Sequence, residues 1–240
     1  MITDAQAFAK ATTVKINGTD AGGAWYFEKS ASIAGYPLEG HYRPAPTATS
    51  PYWPGHATIT MKMATQNVSA GPGLAFDDSL TLSMATGAAN VSNVDCSTEQ
   101  MVVTSDGAPV KTMPVSCGKA ATPTFTGVKV AMEKDNPEHM VGTPADPYDL
   151  QVPWSVRMTN SGEFVHAASW NGGNIGQRST SNGCTNLNTA DAEWYYNFTT
   201  IGDVVQYSNT GGGAMPVWDG YGDWNLPWSS WQTGGLLVSS

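Results

Sequence analysis

Along residues 57–63 the chain alternates: Ala57, Ile59, Met61 and Met63 fall on one side, Thr58, Thr60 and Lys62 on the other. A period of two is the pattern of a half-buried strand. "SLTLSMAT" (79–86) alternates in the same way, and "TVKING" and "GAWYFEK" are β-rich runs bounded by glycine. A proline-rich loop, "YRPAPTATSPYWPG", also lies in this part of the chain. Short strands separated by turn signals, over roughly residues 12–90, predict a small immunoglobulin-like β-sandwich. A short helix is expected ahead of it at 4–11, capped by Thr3.

Further along, "EQMVVTS-DG-APVKTMPVS" predicts a hairpin, because Asp106-Gly107 is the pair that a type I′ turn favours. A two-residue loop there makes paired residue numbers sum to 213, so Cys96 and Cys117 would face each other in a non-hydrogen-bonded pair. That spacing permits a disulfide. The other reading is two separate thiols, since the ladder has to stay regular for nine pairs beyond the turn. A disulfide would imply an oxidising compartment and leave Cys184 free. More β-rich segments follow at 127–133, 152–159 and 162–169. Between the first two, "KDNPEHMVGTPADPYD" is polar and proline-bearing, and reads as a long loop of the lid kind. One longer helix is expected: Thr189 caps "ADAEWYYNF", acids fill its first turn, and Ala192, Tyr195 and Tyr196 form its apolar face. "GDVVQYSN" is the returning strand. Residues 209–240 hold no Lys or Arg and four of the nine tryptophans (Trp218, Trp224, Trp228, Trp231). They are expected to lay aromatic side chains on the body of the protein. The expected division is therefore 1–92, 93–208 and an extension over 209–240, mainly β with one main helix.

Composition supports this and narrows the function. Charged residues are only 13 %, with 26 Gly and 15 Pro, as in a turn-rich β protein. The net charge is −9 and Lys/Arg are unclustered, which argues against nucleic acid and against a polybasic membrane site. No apolar run approaches the ~18 residues of a membrane span, and the N-terminus lacks the pattern of a signal peptide.

Four histidines are present, and only His166 ends a β-rich run, "EFVHAASW". Cys184 follows 18 residues later, after the glycine-rich "NGGNIG". A Cys–His pair is the minimum for thiol nucleophilic catalysis: imidazole takes the proton and the thiolate attacks a carbonyl. Gly183 allows a tight turn whose N–H groups can face a developing oxyanion. On residues alone, a core thiol and an unrelated histidine remain the alternative.

"HAASWNGGNIGQRSTSNGCTNL" resembles the signature of the L,D-transpeptidases: a histidine, about fifteen to eighteen residues, then Ser/Thr-His-Gly-Cys-x-Asn. His166, Ser181, Gly183, Cys184 and Asn186 match it, and Trp170 resembles the mycobacterial-type enzymes. "MPVSCGK" resembles the family's M-P-x-S-x-G-K segment, with Cys117 where methionine is common. "TPTFTG" resembles its continuation, and "GGAMPVWDGYGDWNLPWSSW" the C-terminal extension of the mycobacterial group. Asn182 departs from the usual histidine and cannot titrate near neutrality. The base must then be His166, oriented by the backbone carbonyl of Ala167.

The resemblance implies a peptidoglycan L,D-transpeptidase. Cys184 would attack the third residue of a tetrapeptide stem, D-Ala would leave, and a second stem's amine would resolve the thioester. The N–H groups of Asn182, Gly183 and Cys184 are the oxyanion candidates. Tyr148, Trp170, Ser181 and Asn186 are expected at the substrate side, Tyr148 assisting through its hydroxyl and Asn186 fixing the turn. Carbapenems are expected to acylate Cys184. The pattern requires no metal and no cofactor, and a monomer is expected. The resemblance implies an extracytoplasmic location, with a signal or anchor absent from this chain. An L,D-carboxypeptidase, a protein-to-wall anchoring enzyme and a weakened wall-binding module are the alternatives.

Overall fold

The computed structural model describes residues 4–29 and 39–235. They divide into two compact units, one being Asn90–Asn225 and the other the described residues on either side of it.

In the flanking unit, helix α1 (Ala5–Lys10) starts at Asp4, whose side chain accepts from Ala7 N–H. The cap is thus one residue later than expected, and Thr3 lies outside the described residues. A four-stranded antiparallel sheet follows. Its strands are β1 (Thr12–Ile16), β2 (Thr19–Asp20), β5 (Thr58–Met63) and β8 (Leu80–Ala85), in the order β2-β1-β5-β8. The hairpins β3 (Ala24–Glu28) with β4 (Glu39–Arg43) and β6 (Ser69–Gly71) with β7 (Leu74–Ala75) complete the unit. Val14 and Ile59 are buried with Ala21 and Ala57, as the alternation requires. The stripe Leu80, Leu82 and Met84 is exposed instead: β8 is an edge strand, and among the described residues no apolar layer covers it. Residues 226–235 belong to this unit: in α3 (Trp228–Trp231), the buried Trp231 indole donates to Ala24 O at 2.9 Å.

The Asn90–Asn225 unit is built on two sheets. The first is β11-β10-β9-β19-β12, formed by β9 (Asn90–Asp95), β10 (Gln100–Ser105), β11 (Ala108–Pro114), β12 (Gly127–Val130) and β19 (Val204–Ser208). The expected boundary between residues 92 and 93 falls inside β9, the central strand of this sheet. Its Val94 is buried, and β9 pairs with β10 on one side and, in parallel, with β19 on the other. Asp106-Gly107 does turn a hairpin, but a bulge at Val103/Thr104 moves the register. Beyond it the partners are Met101↔Met113 and Gln100↔Pro114, and β10 ends there. Cys96 sits in the turn between β9 and β10, not on the β10–β11 ladder. It is bonded to Cys117 all the same, with Cα atoms 5.8 Å apart.

The second sheet is β13-β16-β17-β18, from β13 (Glu133–Asp135), β16 (Ser155–Arg157), β17 (Phe164–Ala167) and β18 (Thr185–Leu187). The expected lid loop is a hairpin, β14 (Glu138–Thr143) with β15 (Asp146–Val152). Thr143-Pro144-Ala145-Asp146 turns it, with proline at the position whose fixed φ suits a turn. Helix α2 is Thr189–Phe198, capped by Asn188 rather than Thr189: Asn188 Oδ1 accepts from Asp191 N–H at 2.9 Å. Ala192 and Tyr195 are buried in a core shared by both sheets, with Val94, Met101, Met113, Val156, Val165, Leu187 and Val205.

Candidate active site

β17 is buried along its whole length. Val165 and Ala167 point into the core, so Phe164 and His166 point to the opposite face. β18 runs parallel beside it, pairing Val165↔Thr185, His166↔Asn186 and Ala167↔Leu187. Leu187 is in the core, so Asn186 shares the face of His166. Cys184 precedes Asn186 by two residues and by the same alternation falls on that face. The register makes His166 and Cys184 diagonal neighbours, with Cα atoms about 8 Å apart from strand spacing and rise. The histidine and cysteine are thus brought together by backbone pairing. No hydrogen bond joins the thiol to His166 among the described residues.

The histidine is 3 % exposed, and its Nδ1 lies 2.8 Å from Ala167 O. A carbonyl only accepts, so Nδ1 carries the proton and Nε2 keeps its lone pair. Burial lowers the His166 pKa to about 4, against the Ala167 bond that raises it. Cys184 is half-buried and the one free cysteine. Burial pushes its thiol up to about 11, opposed by the Phe164 N–H; Glu163 adds to the rise, and Lys129 and Arg157 oppose it. The resting pair is therefore neutral thiol and neutral imidazole. The sulfur lies 3.8 Å from Gly162 O.

The loop carrying Cys184 is held from one side. Thr180 and Ser181 N–H both donate to Cys117 O, at 2.9 and 3.0 Å. Ser116 and Asn186 exchange both backbone bonds. Ser181 Oγ donates to Cys184 O at 2.5 Å and accepts from Gly183 N–H at 3.2 Å. That occupies one of the three oxyanion candidates. The N–H groups of Asn182 and Cys184 have no partner among the described residues. Gly183 has φ +119°, a backbone that favours glycine.

Asn182 is exposed, with its side chain toward Thr122 (3.5 Å) and Asp146, whose carboxyl it helps to lower after Lys119. Lys119 Nζ also pairs with Asp146 at 3.1 Å, at the tip of the β14–β15 hairpin. Tyr148, on β15, lies within electrostatic reach of the thiol: burial first, then Cys184 and Asp146, raise its hydroxyl. Trp170 is exposed and stacks on His166 with ring centroids 6.0 Å apart. Asn186 Oδ1 is buried and without a partner, an acceptor left on the His166 side of the sheet.

Two charged residues escaped the sequence reading. Lys129 alternates with Val128 and Val130, which reads as a solvent-facing position, yet it is 0 % exposed and bonded to Glu163. Glu163, beside a turn glycine, reads as surface and is 8 % exposed. Nothing in the local pattern marks either.

The family model for the L,D-transpeptidase catalytic domain (YkuD) matches residues 89–206. L,D-transpeptidase 2 of Mycobacterium tuberculosis (strain CDC 1551 / Oshkosh) is 33 % identical over 192 residues, which is 76 % of this chain and 47 % of that protein. The chain spans about half the length of the curated relatives it matches. Among solved structures, the LD transpeptidase LdtMt1 in complex with imipenem superposes with a TM-score of 0.69 at 26 % identity, covering 86 % of this chain and 87 % of that one. L,D-transpeptidase 3 from Mycobacterium tuberculosis with a faropenem-derived adduct has a TM-score of 0.64 at 27 % identity, covering 83 % of each.

Proposed function

Residues 89–206 belong to the L,D-transpeptidase catalytic-domain family, and on that premise we propose that this chain cross-links peptidoglycan stems through a Cys184 thioester. One observation carries the reading: a free, half-buried thiol and a tautomer-fixed histidine share one sheet face, in register.

The Cys184 proton passes to His166 Nε2 as sulfur attacks the carbonyl carbon of the third stem residue. Because both groups rest neutral, the transfer accompanies attack and does not precede it. The free N–H groups of Asn182 and Cys184 take the oxyanion. Collapse breaks the amide bond, and His166 returns the proton to the departing D-Ala amine. The amine of a second stem then attacks the thioester. His166 takes its proton and restores the thiol. Tyr148 and Trp170 border the path of the stem peptides. The Cys96–Cys117 bond supports an extracytoplasmic setting, and the antiparallel pairing of the flanking unit supports an immunoglobulin-like assignment for it.

Imipenem and faropenem adduct structures exist for similar proteins, which sets the test. Intact-protein mass spectrometry with a carbapenem is expected to show one adduct, mapped to Cys184 and absent in Cys184→Ala. An adduct that persists in that variant overturns the nucleophile. With a disaccharide-tetrapeptide, a dimer means transfer and a tripeptide means hydrolysis. No product and no adduct would mean a wall-binding module.

A further inference from the structure

A buried ion pair stands directly behind the nucleophile. Lys129, fully buried on β12, bonds to the Glu163 carboxylate and lies 3.9 Å over the Tyr207 ring. The other Glu163 oxygen accepts from Phe125 N–H at 2.8 Å. Glu163 sits between the two backbone groups that meet the thiol, the Gly162 carbonyl and the Phe164 N–H. Its carboxylate packs on Gly183: a Cβ there would stand 3.5 Å from Oε1. Tyr207 closes the arrangement, its hydroxyl 2.9 Å from Thr185 Oγ1, next to Cys184.

A buried ion pair adds little net stability compared with well-packed apolar residues, because both charges lose their hydration. Its place in this core therefore asks for another reason, and its neighbours supply one. We propose that Lys129 and Glu163 are positioning residues for Cys184: Lys129 holds Glu163 as a carboxylate against the Gly183–Cys184 turn, and that carboxylate opposes ionisation of the resting thiol. A neutral thiol also resists oxidation, which attacks the thiolate. The other groups facing the sulfur or the pair are Arg157, Tyr148, His166, Tyr207 and Asp219, the last fully buried and accepting from Ser161 N–H and Oγ at 2.7 and 2.6 Å. The inference rests on Cys184 being the reactive thiol of the proposed enzyme.

The test is the pH profile of iodoacetamide alkylation. Cys184 is the one free cysteine, so the reagent reports on it whether or not the chain is a transpeptidase. In Glu163→Gln the pH midpoint is expected to fall and alkylation at pH 7.5 to rise about tenfold. Glu163→Asp is expected to stay near the wild type. Tyr207→Phe removes the Thr185 bond without removing a charge that exists at neutral pH, and should leave the midpoint in place. A Glu163→Gln midpoint equal to the wild type overturns the proposal, and so does a Tyr207→Phe shift of the same size, since loosened packing would then be the cause. Should Glu163→Gln fail to fold, Glu163→Asn is compared with Glu163→Asp, which has the same shape and keeps the charge: a midpoint lower in Glu163→Asn supports the proposal and equal midpoints overturn it. Absence of a carbapenem adduct with the midpoint shift intact would sink the transpeptidase reading and leave this one standing.

Discussion

His166 is buried neutral, and that has a measurable cost in acid. Its folded pKa of about 4 lies below the ordinary 6.5. The unfolded chain therefore binds the proton first, and stability present above pH 6.5 is lost as pH falls toward 4. The loss is about 3 kcal/mol by linkage. Cys184 acts at the other end: raised from 9.0 to about 11, it contributes fully below pH 9 and loses that contribution as pH rises through 11. Thermal melts should show a plateau between these limits, and His166→Gln should lose the acid limb. The carbapenem acylation rate should show no break near pH 6.5; an inflection there would mean a solvated imidazole. Asn182→His is expected to change that rate by no more than about threefold, because position 182 is exposed and directed toward Thr122 and Asp146. A tenfold gain would show that a second imidazole matters. His166 and Cys184 are legible because a rare residue type at a motif spacing stands out, and Gly183 because it adjoins Cys184. Lys129 and Glu163 are not, since a charge inside a β-run or beside a turn glycine looks like a solvated one until the fold encloses it.

Among the elements, the Cys96–Cys117 bond forms although the ladder that suggested it shifts register and stops at Gln100↔Pro114. The Asp106-Gly107 turn is encoded locally, by φ preferences of two residues. The bulge opposite Val103/Thr104 takes up Val110 on β11 while β10 pairs regularly with β9, and no local signal shows it. The β14–β15 hairpin escaped for another reason: β15 is exposed along most of its length, and the half-buried side of β14 carries Glu138, Met140 and Gly142, so no apolar alternation marks either strand. The Cys96–Cys117 bond does more than close a chain of 21 residues' separation. Cys117 O carries Thr180 and Ser181, and its neighbour Ser116 pairs with Asn186. Replacing both cysteines by serine should cost about 3 kcal/mol in urea unfolding. It should also slow carbapenem acylation, as the segment ahead of Cys184 loses its anchor. Unchanged acylation in a folded variant would refute that coupling.

At the scale of the whole molecule, strand order was the least legible feature. Composition and turn signals identify a β protein, but the parallel pairs β9·β19 and β17·β18 join segments far apart in the chain. The stretch expected as one extension over 209–240 divides at Leu226, its first part folding with Asn90–Asn225 and the rest of its described residues with the flanking unit. Tryptophan content alone could not say which surface each indole would find. The parallel pairing of β17 with β18 has a consequence for chain length. The separation of His166 from Cys184 is set by the ladder, while their 18-residue spacing in sequence is only the length of the detour between the strands. From Gly176 onward the detour is tied to Val115, Ser116 and Cys117, but Gly172 and Gly173 are exposed and uncrowded. Two residues inserted between those glycines should leave carbapenem acylation within about twofold. One residue inserted after Thr185 should abolish it by reversing which side chains face the histidine. Relatives of this site can therefore differ in loop length and still keep one geometry, because the count between the histidine and the cysteine is free to drift where their register is not.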